Sequence, residues 1–353
     1  MGLRMGLCNE DTFDYDKNGY SLFTLNQNVE IVRRLWWALY MCDAIERRHG
    51  DPFYLIQEAD CQTCLPTTDS IFSLSTNHEM LQHWINPGSP EAKKQIAYLS
   101  STTVFYPSIS SVSISGYVIQ LHKIERRIMD FARKAADLNN VIPEHELELT
   151  MHHIEASLDY FESHLDPSIV NLMKPEVVRL GKELTTTTNI WSGLYVHLLC
   201  RYLKFCMYRG RHNGYEKQGI NPITLQHSAL IINFQTSCIR LSEVVAKMSS
   251  QNPMFLFTSP FVASILFEVG LMHVVCCKMC DKPFLVKISE DAIQSHVQAL
   301  QNISFYVKDA PSYRDIIESM ASMQLDKSLP LTDQYVILST RISLAVQGTF
   351  KTR

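Results

Sequence analysis

The sequence predicts an all-α fold: a multi-helical, non-repetitive globular regulatory domain. Three observations predict it. Apolar residues recur three and four apart along most of the chain, the period of a helix with one buried face. Period-two alternation is scarce, and Phe284 to Ile288 is the single short strand candidate. The 353 residues are 46% hydrophobic and 19% charged, enough apolar material for a large core. No repeat with a period of about 20–50 residues is present, so a regular solenoid is not indicated.

Taken in order, the first strong element is a helix carrying Val32, Leu35, Trp36, Leu39 and Cys42, spaced to share one face. Trp36 and Trp37 are adjacent and point about 100° apart, so one is expected to face the core and the other a second helix or a loop. Each can bury roughly 150–250 Å². The helix is expected to stop at His49-Gly50, with Gly50 as a left-handed cap and Pro52 beyond it. Arg33 lies nearly three turns from Asp43, so a direct pair along the helix is not expected. Arg33 and Arg34 are expected to bind loop carbonyls or the carboxylates of Glu58 or Asp60.

Residues 67–113 are rich in serine, threonine and proline and are expected to be a flexible region, broken by short helices at Asn77–Trp84 and Pro90–Ser100. Two amphipathic stripes follow. Ile114, Tyr117, Leu121, Ile124, Ile128, Phe131, Ala135 and Leu138 form one, and Leu147, Met151, Ile154, Leu158, Phe161 and Leu165 the other. Asn139-Asn140 and Pro143 separate them, which predicts an antiparallel helical hairpin. Further helices are predicted over Thr188–Tyr208, Asn221–Met248, Ser259–Cys280, Ser289–Val307 and Thr332–Val346, with a polar turn at Gly210–Gly219. The domain reading is therefore 1–66, a first helical part; 67–113, a flexible loop; and 114–353, the remaining helical body of the same domain.

Net charge is −4 and the pI is about 6.3. A DNA-reading module carries a basic stripe and a high pI, and neither is present. Basic residues cluster at Arg47-Arg48, Lys123–Lys134 and Arg201–Arg211, where solvated helix faces are expected. This chain by itself is not expected to bind DNA strongly. Ten cysteines occur, and most fall in apolar helical runs where a free thiol packs as a small hydrophobe. The pairs Cys61/Cys64 and Cys277/Cys280 lack a nearby His-x-x-x-His or a second close pair, so ordinary thiols are expected there rather than zinc ligands. Met254–Cys280 is the most apolar run. Pro260 interrupts it, and Glu268 and His273 sit inside it, so a buried core helix is expected and not a membrane span.

One stretch carries a specific pattern. Val29–Pro66 holds Arg33, Arg34, Leu35, Trp36, Trp37, then Tyr40 and Asp43, then Gly50 and Pro52, then Glu58 and Asp60, and finally Leu65-Pro66. This order resembles the signature of the fungal-specific transcription factor domain, the all-helical regulatory region of two-zinc, six-cysteine fungal transcription factors. The resemblance implies a nuclear protein acting on RNA polymerase II transcription. It implies no cofactor in this chain, zinc being confined to a DNA-binding module whose six closely spaced cysteines are absent here. It also implies DNA contact only through that missing module. A homodimer, and a small-molecule or protein effector, are the partners it leads one to expect. The opening MGLRMGLCNED resembles the family's Gly-Leu-His-like helix end, with Cys8 in the histidine's place. On that reading the chain begins inside the domain. After Pro66 the resemblance rests on helix order alone.

Enzymatic motifs are missing. There is no Gly-x-Ser-x-Gly elbow, phosphate loop or Gly-x-Gly-x-x-Gly. His145, Glu148, His152, His153 and Glu155 lie close together but form no His-Glu-x-x-His, and are expected to face solvent. Glu268 and His273 in the most apolar helix need buried partners, and bonds to a neighbouring helix are expected. Apolarity alone suggests a ligand pocket lined by Trp36, Phe257, Phe261, Glu268 and His273. The chain is read as a non-enzymatic regulatory domain; the alternative is a helical dimerisation or assembly scaffold without ligand sensing.

Overall fold

The structure, a computed structural model, describes residues 25–46, 54–57, 61, 63–66, 90, 114–137, 142–173, 187–217, 229–251, 260–280, 282–326, 328–329, 333–334, 336–338, 340–342 and 344. Among these residues the elements are helices and no strand occurs. In chain order they are α1 (Leu25–Glu46), α2 (Ile114–Ala136), α3 (Glu144–Ser163), α4 (Pro167–Asn171), α5 (Thr187–Lys217), α6 (Ala229–Gln251), α7 (Pro260–Met279), α8 (Pro283–Ile303) and α9 (Ala310–Ser322). The chain forms two compact units, one of Met1–Asp130 with Leu149–Leu165, the other of Phe131–Glu148 with Asp166–Arg353. The short helices expected at 77–84 and 90–100, and the end of the first helix at Gly50, lie outside the described residues, save for Pro90.

In the first unit, α1 buries a different face from the one its leucines suggest. Val29, Val32, Arg33, Trp36, Trp37, Tyr40, Asp43 and Ala44 are buried. Leu35 and Leu39 are 42% and 40% exposed, and Cys42 is exposed. Both faces have a helical period, so spacing could not choose between them. The two tryptophans do, because their combined apolar area outweighs two leucines. The Leu121–Ile124–Ile128 stripe of α2 is buried, as are Ile154, Leu158 and Phe161 of α3. The rings of Tyr117 and Phe161 meet edge-on at 5.9 Å, which sets the start of α2 beside the end of α3. Lys123 and Arg126, expected on a solvated face, are buried, together with Gln120, His122 and Glu125. His122 Nδ1 and Glu125 Oε2 are 2.7 Å apart one turn along the helix. Arg47-Arg48 lies outside the described residues.

The second unit is built around α7, which packs on α6, α8 and α9; α5 pairs with α6 and α4. Val262, Ala263, Ile265, Leu266, Val269 and Val274 of α7 are fully buried. From Phe261 to Met279 this helix is long and apolar enough to cross a membrane by length and composition, and its residues are mostly covered by the fold. Phe267 stacks on Tyr313 of α9 at 4.4 Å. Asp166 caps α4, its Oδ1 accepting the Ser168 N–H at 2.8 Å. The strand expected at Phe284–Ile288 is instead the start of α8, where Pro283 occupies the first turn.

Where a polar turn was expected from Gly210, the chain is helical as far as Lys217, the end of α5, and the rest of that stretch lies outside the described residues. Two packing facts account for this. Arg211 is buried and ion-paired with Glu144. Gly210 lies where an added Cβ would come within 2.7 Å of the Ala132 Cβ and 3.2 Å of its Cα. Here glycine marks close helix approach, not a break. Alanine has the higher helix propensity, by about 1 kcal/mol. Even so, Gly210→Ala is expected to destabilise the chain by about 1–3 kcal/mol, read from the urea midpoint; a stabilised variant would contradict the packing.

Candidate functional site

Trp37, Tyr40 and Asp43 of α1 converge on the segment that follows it. Asp43 sits one turn from the end of α1, and its two carboxylate oxygens accept the backbone N–H groups of Leu55 and Ile56, each at 3.1 Å. Arg126 of α2 closes the arrangement. Its Nη2 donates to Asp43 Oδ2 at 3.2 Å and its Nη1 to the Ile56 carbonyl at 2.5 Å. The guanidinium carbon lies 4.0 Å from the Tyr40 ring centre and 4.2 Å from that of Tyr54, so the cation is held against two aromatic faces. A buried ion pair is costly to desolvate unless its remaining donors and acceptors are matched. Here backbone amides, a carbonyl and two π faces match most of them, while Arg126 Nε has no acceptor among the described residues.

Trp37 fastens the far end of the same segment. Its Nε1–H donates to the Cys64 carbonyl at 2.8 Å, and its ring meets Tyr40 edge-on at 5.3 Å. Val32, Trp36, Trp37, Tyr40, Ile56, Cys61, Leu65 and Ile119 pack as one apolar cluster. Trp36 is also fully buried, but its Nε1 has no acceptor among the described residues. Leu65 and Pro66 are buried at the end of the segment. The expected partners Glu58 and Asp60 lie outside the described residues, and the described contacts of the two arginines are with α1 itself. Arg34 Nε lies 2.9 Å from Glu30 Oε1 and Arg33 Nη1 3.8 Å from Glu30 Oε2, so both turn to a carboxylate one turn back along α1. Gly50, Pro52, Glu58 and Asp60 lie outside the described residues. Asp43, Tyr40 and the tryptophans were visible in the sequence. Arg126 was not, because it lies 83 residues beyond Asp43 inside an ordinary basic run.

The second unit holds a separate polar construction. His296 Nδ1 lies 2.9 Å from the Leu266 carbonyl, which can only accept, so Nδ1 carries the proton. His296 Nε2 therefore accepts from the Ser242 hydroxyl at 2.8 Å. Ser242 Oγ in turn accepts from His273 Nε2–H at 2.8 Å, and His273 Nδ1 accepts from the Ser289 hydroxyl at 3.2 Å. All four side chains are buried. The chain links α6, α7 and α8 with both imidazoles neutral. Burial holds His273 down to about 3, with His296 adding to the effect, and burial holds His296 down to about 4. Glu268, five residues before His273, faces α5. It accepts from Tyr202 Oη at 2.9 Å and from Arg209 Nη1 at 2.6 Å. Sequence reading marked His273 and Glu268 as needing partners; it could not find those partners, which lie 16 to 66 residues away.

Of the residues suggested as a ligand pocket, Trp36 belongs to the first unit and Phe261, Glu268 and His273 to the second, while Phe257 lies outside the described residues. His145, Glu148, His152 and His153 are exposed on α3. Among the described residues no group of three histidine, cysteine or acidic side chains is placed to hold a metal ion. The described cysteines are free thiols, and Cys61, Cys64, Cys200, Cys206 and Cys238 are buried. No protein-family model, no curated protein and no solved structure matches the chain.

Two predictions follow from this geometry. Replacing either tryptophan by phenylalanine removes similar volume, but only the Trp37 change deletes a buried hydrogen bond. Trp37→Phe is expected to destabilise the chain by about 1 kcal/mol more than Trp36→Phe in urea unfolding; equal losses would remove the Cys64 contact from the account. For the histidines, the unfolded imidazole titrates near 6.5, while the folded pair stays neutral down to about 4 and about 3. Between these limits the unfolded state binds more protons. Stability from this pair is therefore intact above about pH 6.5 and falls progressively as pH drops toward the folded values. The urea midpoint should drop between about pH 7 and about pH 4.5, and drop less in the His296→Gln chain.

Proposed function

We propose that the chain is the regulatory domain of a fungal-type zinc-cluster transcription factor. It controls RNA polymerase II transcription in the nucleus, while DNA contact resides in a separate module. The observation that carries this reading is the ordered run Arg33-Arg34-Leu35-Trp36-Trp37, Tyr40-x-x-Asp43, Gly50-x-Pro52 and Leu65-Pro66. Its fit with the fold supports it further. Tyr40, Asp43 and Trp37 each hold the segment that ends in Leu65-Pro66, so their order has a structural reason. The net charge of −4 agrees with a domain that does not itself read DNA.

On this reading the helical body is non-enzymatic and carries no cofactor. It restrains or exposes activating segments. A small-molecule or protein effector shifts the balance only as far as it binds the two states with different affinity. A second reading, a dimerisation or assembly scaffold, draws on the exposed Leu35 and Leu39, four apart on α1.

The test is to fuse the chain to a heterologous DNA-binding module that lacks activating function. Reporter output is then measured against the module alone. The proposal expects output to rise or fall several-fold and the unfused chain to leave labelled DNA unshifted. Unchanged output from a folded, nuclear fusion overturns it. A fused chain that is inert but dimeric by light scattering, and monomeric as Leu35→Lys/Leu39→Lys, would favour the scaffold.

A further inference from the structure

The outer face of α8 carries a seam of exposed side chains. Phe284, Lys287, Asp291, Gln294, Gln298 and Gln301 alternate three and four residues apart, and all are exposed. On a helix of 3.6 residues per turn they share one side. That side is opposite the one through which Ser289, His296, Leu300 and Ile303 enter the core. The next member of the series is Phe305. It lies past the helix end, but Ser304 keeps a right-handed helical conformation and the Val307 N–H donates to the Ile303 carbonyl at 2.9 Å, so the chain goes on turning through it. Phe284 and Phe305 are 74% and 88% exposed, the highest values for large apolar side chains among the described residues. They stand twenty-one residues apart, or about 31 Å along a helix. Tyr306 meets Phe305 edge-on at 5.0 Å and widens that aromatic end.

The side chains between the two aromatics narrow the occupant. Alternating spacings of three and four are the contact pattern for a second helix lying nearly alongside. The middle of the seam is polar, so a lipid surface would strand Lys287, Asp291 and the glutamines in an apolar medium. A second α8 laid antiparallel matches the seam position by position. Phe284 of each copy then lies beside Phe305 of the other, Asp291 beside Gln298, Lys287 beside Gln301 and Asn302, and Gln294 beside its own counterpart. An amide donates to a carboxylate and accepts from an ammonium, so both charges meet a suitable group. A parallel pairing would set Lys287 against Lys287 and Asp291 against Asp291, and like charges across an interface are costly. Within one copy Lys287 Nζ is 2.9 Å from Asp291 Oδ1, and Gln298 Nε2 donates to Asn302 Oδ1 at 3.0 Å, so these side chains already lie along the seam.

We infer that the outer face of α8 is a self-association surface, on which a second copy of this chain docks its own α8 antiparallel about a twofold axis beside Gln294. The same patch then serves on both copies, as a twofold interface requires. Four phenylalanines at roughly 150–250 Å² each supply up to about 600–1,000 Å² of apolar burial. A specific interface clears about 1,000 Å² in total. The aromatic ends and the polar middle together reach that size without exceeding it by much, so the dimer is reversible and forms at micromolar concentration. The seam is distinct from Leu35 and Leu39 of α1 and is independent of the transcriptional reading.

The test is sedimentation velocity of the full chain across the micromolar range, where a concentration-dependent dimer is expected. Phe284→Glu and Phe305→Glu, both at exposed positions, are each expected to weaken it about tenfold or more, with the helical circular dichroism unchanged. Leu35→Lys/Leu39→Lys is expected to leave it intact. Orientation is read by oxidative cross-linking. Gln294→Cys, beside the axis, is expected to link two copies, whereas Gln301→Cys, far from its own counterpart, is expected to link no more than the native chain does. A chain that stays monomeric, a dimer indifferent to both phenylalanine changes, or equal cross-linking from Gln294→Cys and Gln301→Cys overturns the assignment. So does a monomer that binds phosphatidylcholine vesicles through the same phenylalanines.

Discussion

The buried pair of Asp43 and Arg126 is the constraint on which the first unit depends. Asp43 gathers two consecutive backbone N–H groups, Arg126 takes the Ile56 carbonyl, and Tyr40 and Tyr54 enclose the cation. The irregular segment after α1 thereby acquires partners for backbone groups that helix or sheet would otherwise satisfy. Removing one member alone leaves a buried charge or orphaned amides, each more costly than the pair is stabilising. Trp37, bonded to the Cys64 carbonyl, applies the same logic some eight residues further on. These two attachments give Asp43 and Trp37 a shared role, since both hold the segment that ends in Leu65-Pro66.

The second unit solves its polar problem by another route. Its central helix α7 is nearly all apolar, yet carries Glu268 and His273. Glu268 is answered from α5 by Tyr202 and Arg209, and His273 from α6 and α8 by Ser242 and Ser289. Each polar group on α7 therefore fixes the register of a different neighbour. A neutral, fully matched chain of this kind specifies one packing arrangement where apolar contacts alone would tolerate several. Its sensitivity to acid follows from the same neutrality.

Much of the fold was legible in the sequence because helical periodicity is local. The all-α class, the paired stripes of α2 and α3 and the apolar α7 can all be read from residues within a few turns of each other. The errors share one cause, namely that tertiary contacts decided what local pattern left open. Leu35 and Leu39 lost the buried face of α1 to Trp36 and Trp37. Gly210 looked like a break but is a close-packing site against Ala132. Phe284–Ile288 alternates like a strand but starts a helix behind Pro283. Lys123 and Arg126 looked solvated, and burial of Arg126 is intelligible only once Asp43 is placed beside it. Of the candidate sites, one half of each contact was visible and the distant half was not.

The central claim is that Asp43 and Arg126 act as a coupled pair, not as two independently tolerated polar residues. A double-mutant cycle on Asp43→Asn and Arg126→Met, measured by urea unfolding of the two single variants and the double, tests it most directly. The account predicts a coupling energy of about 2 kcal/mol or more, with the double variant less destabilised than the sum of the singles. Additive losses within about 0.5 kcal/mol would contradict it.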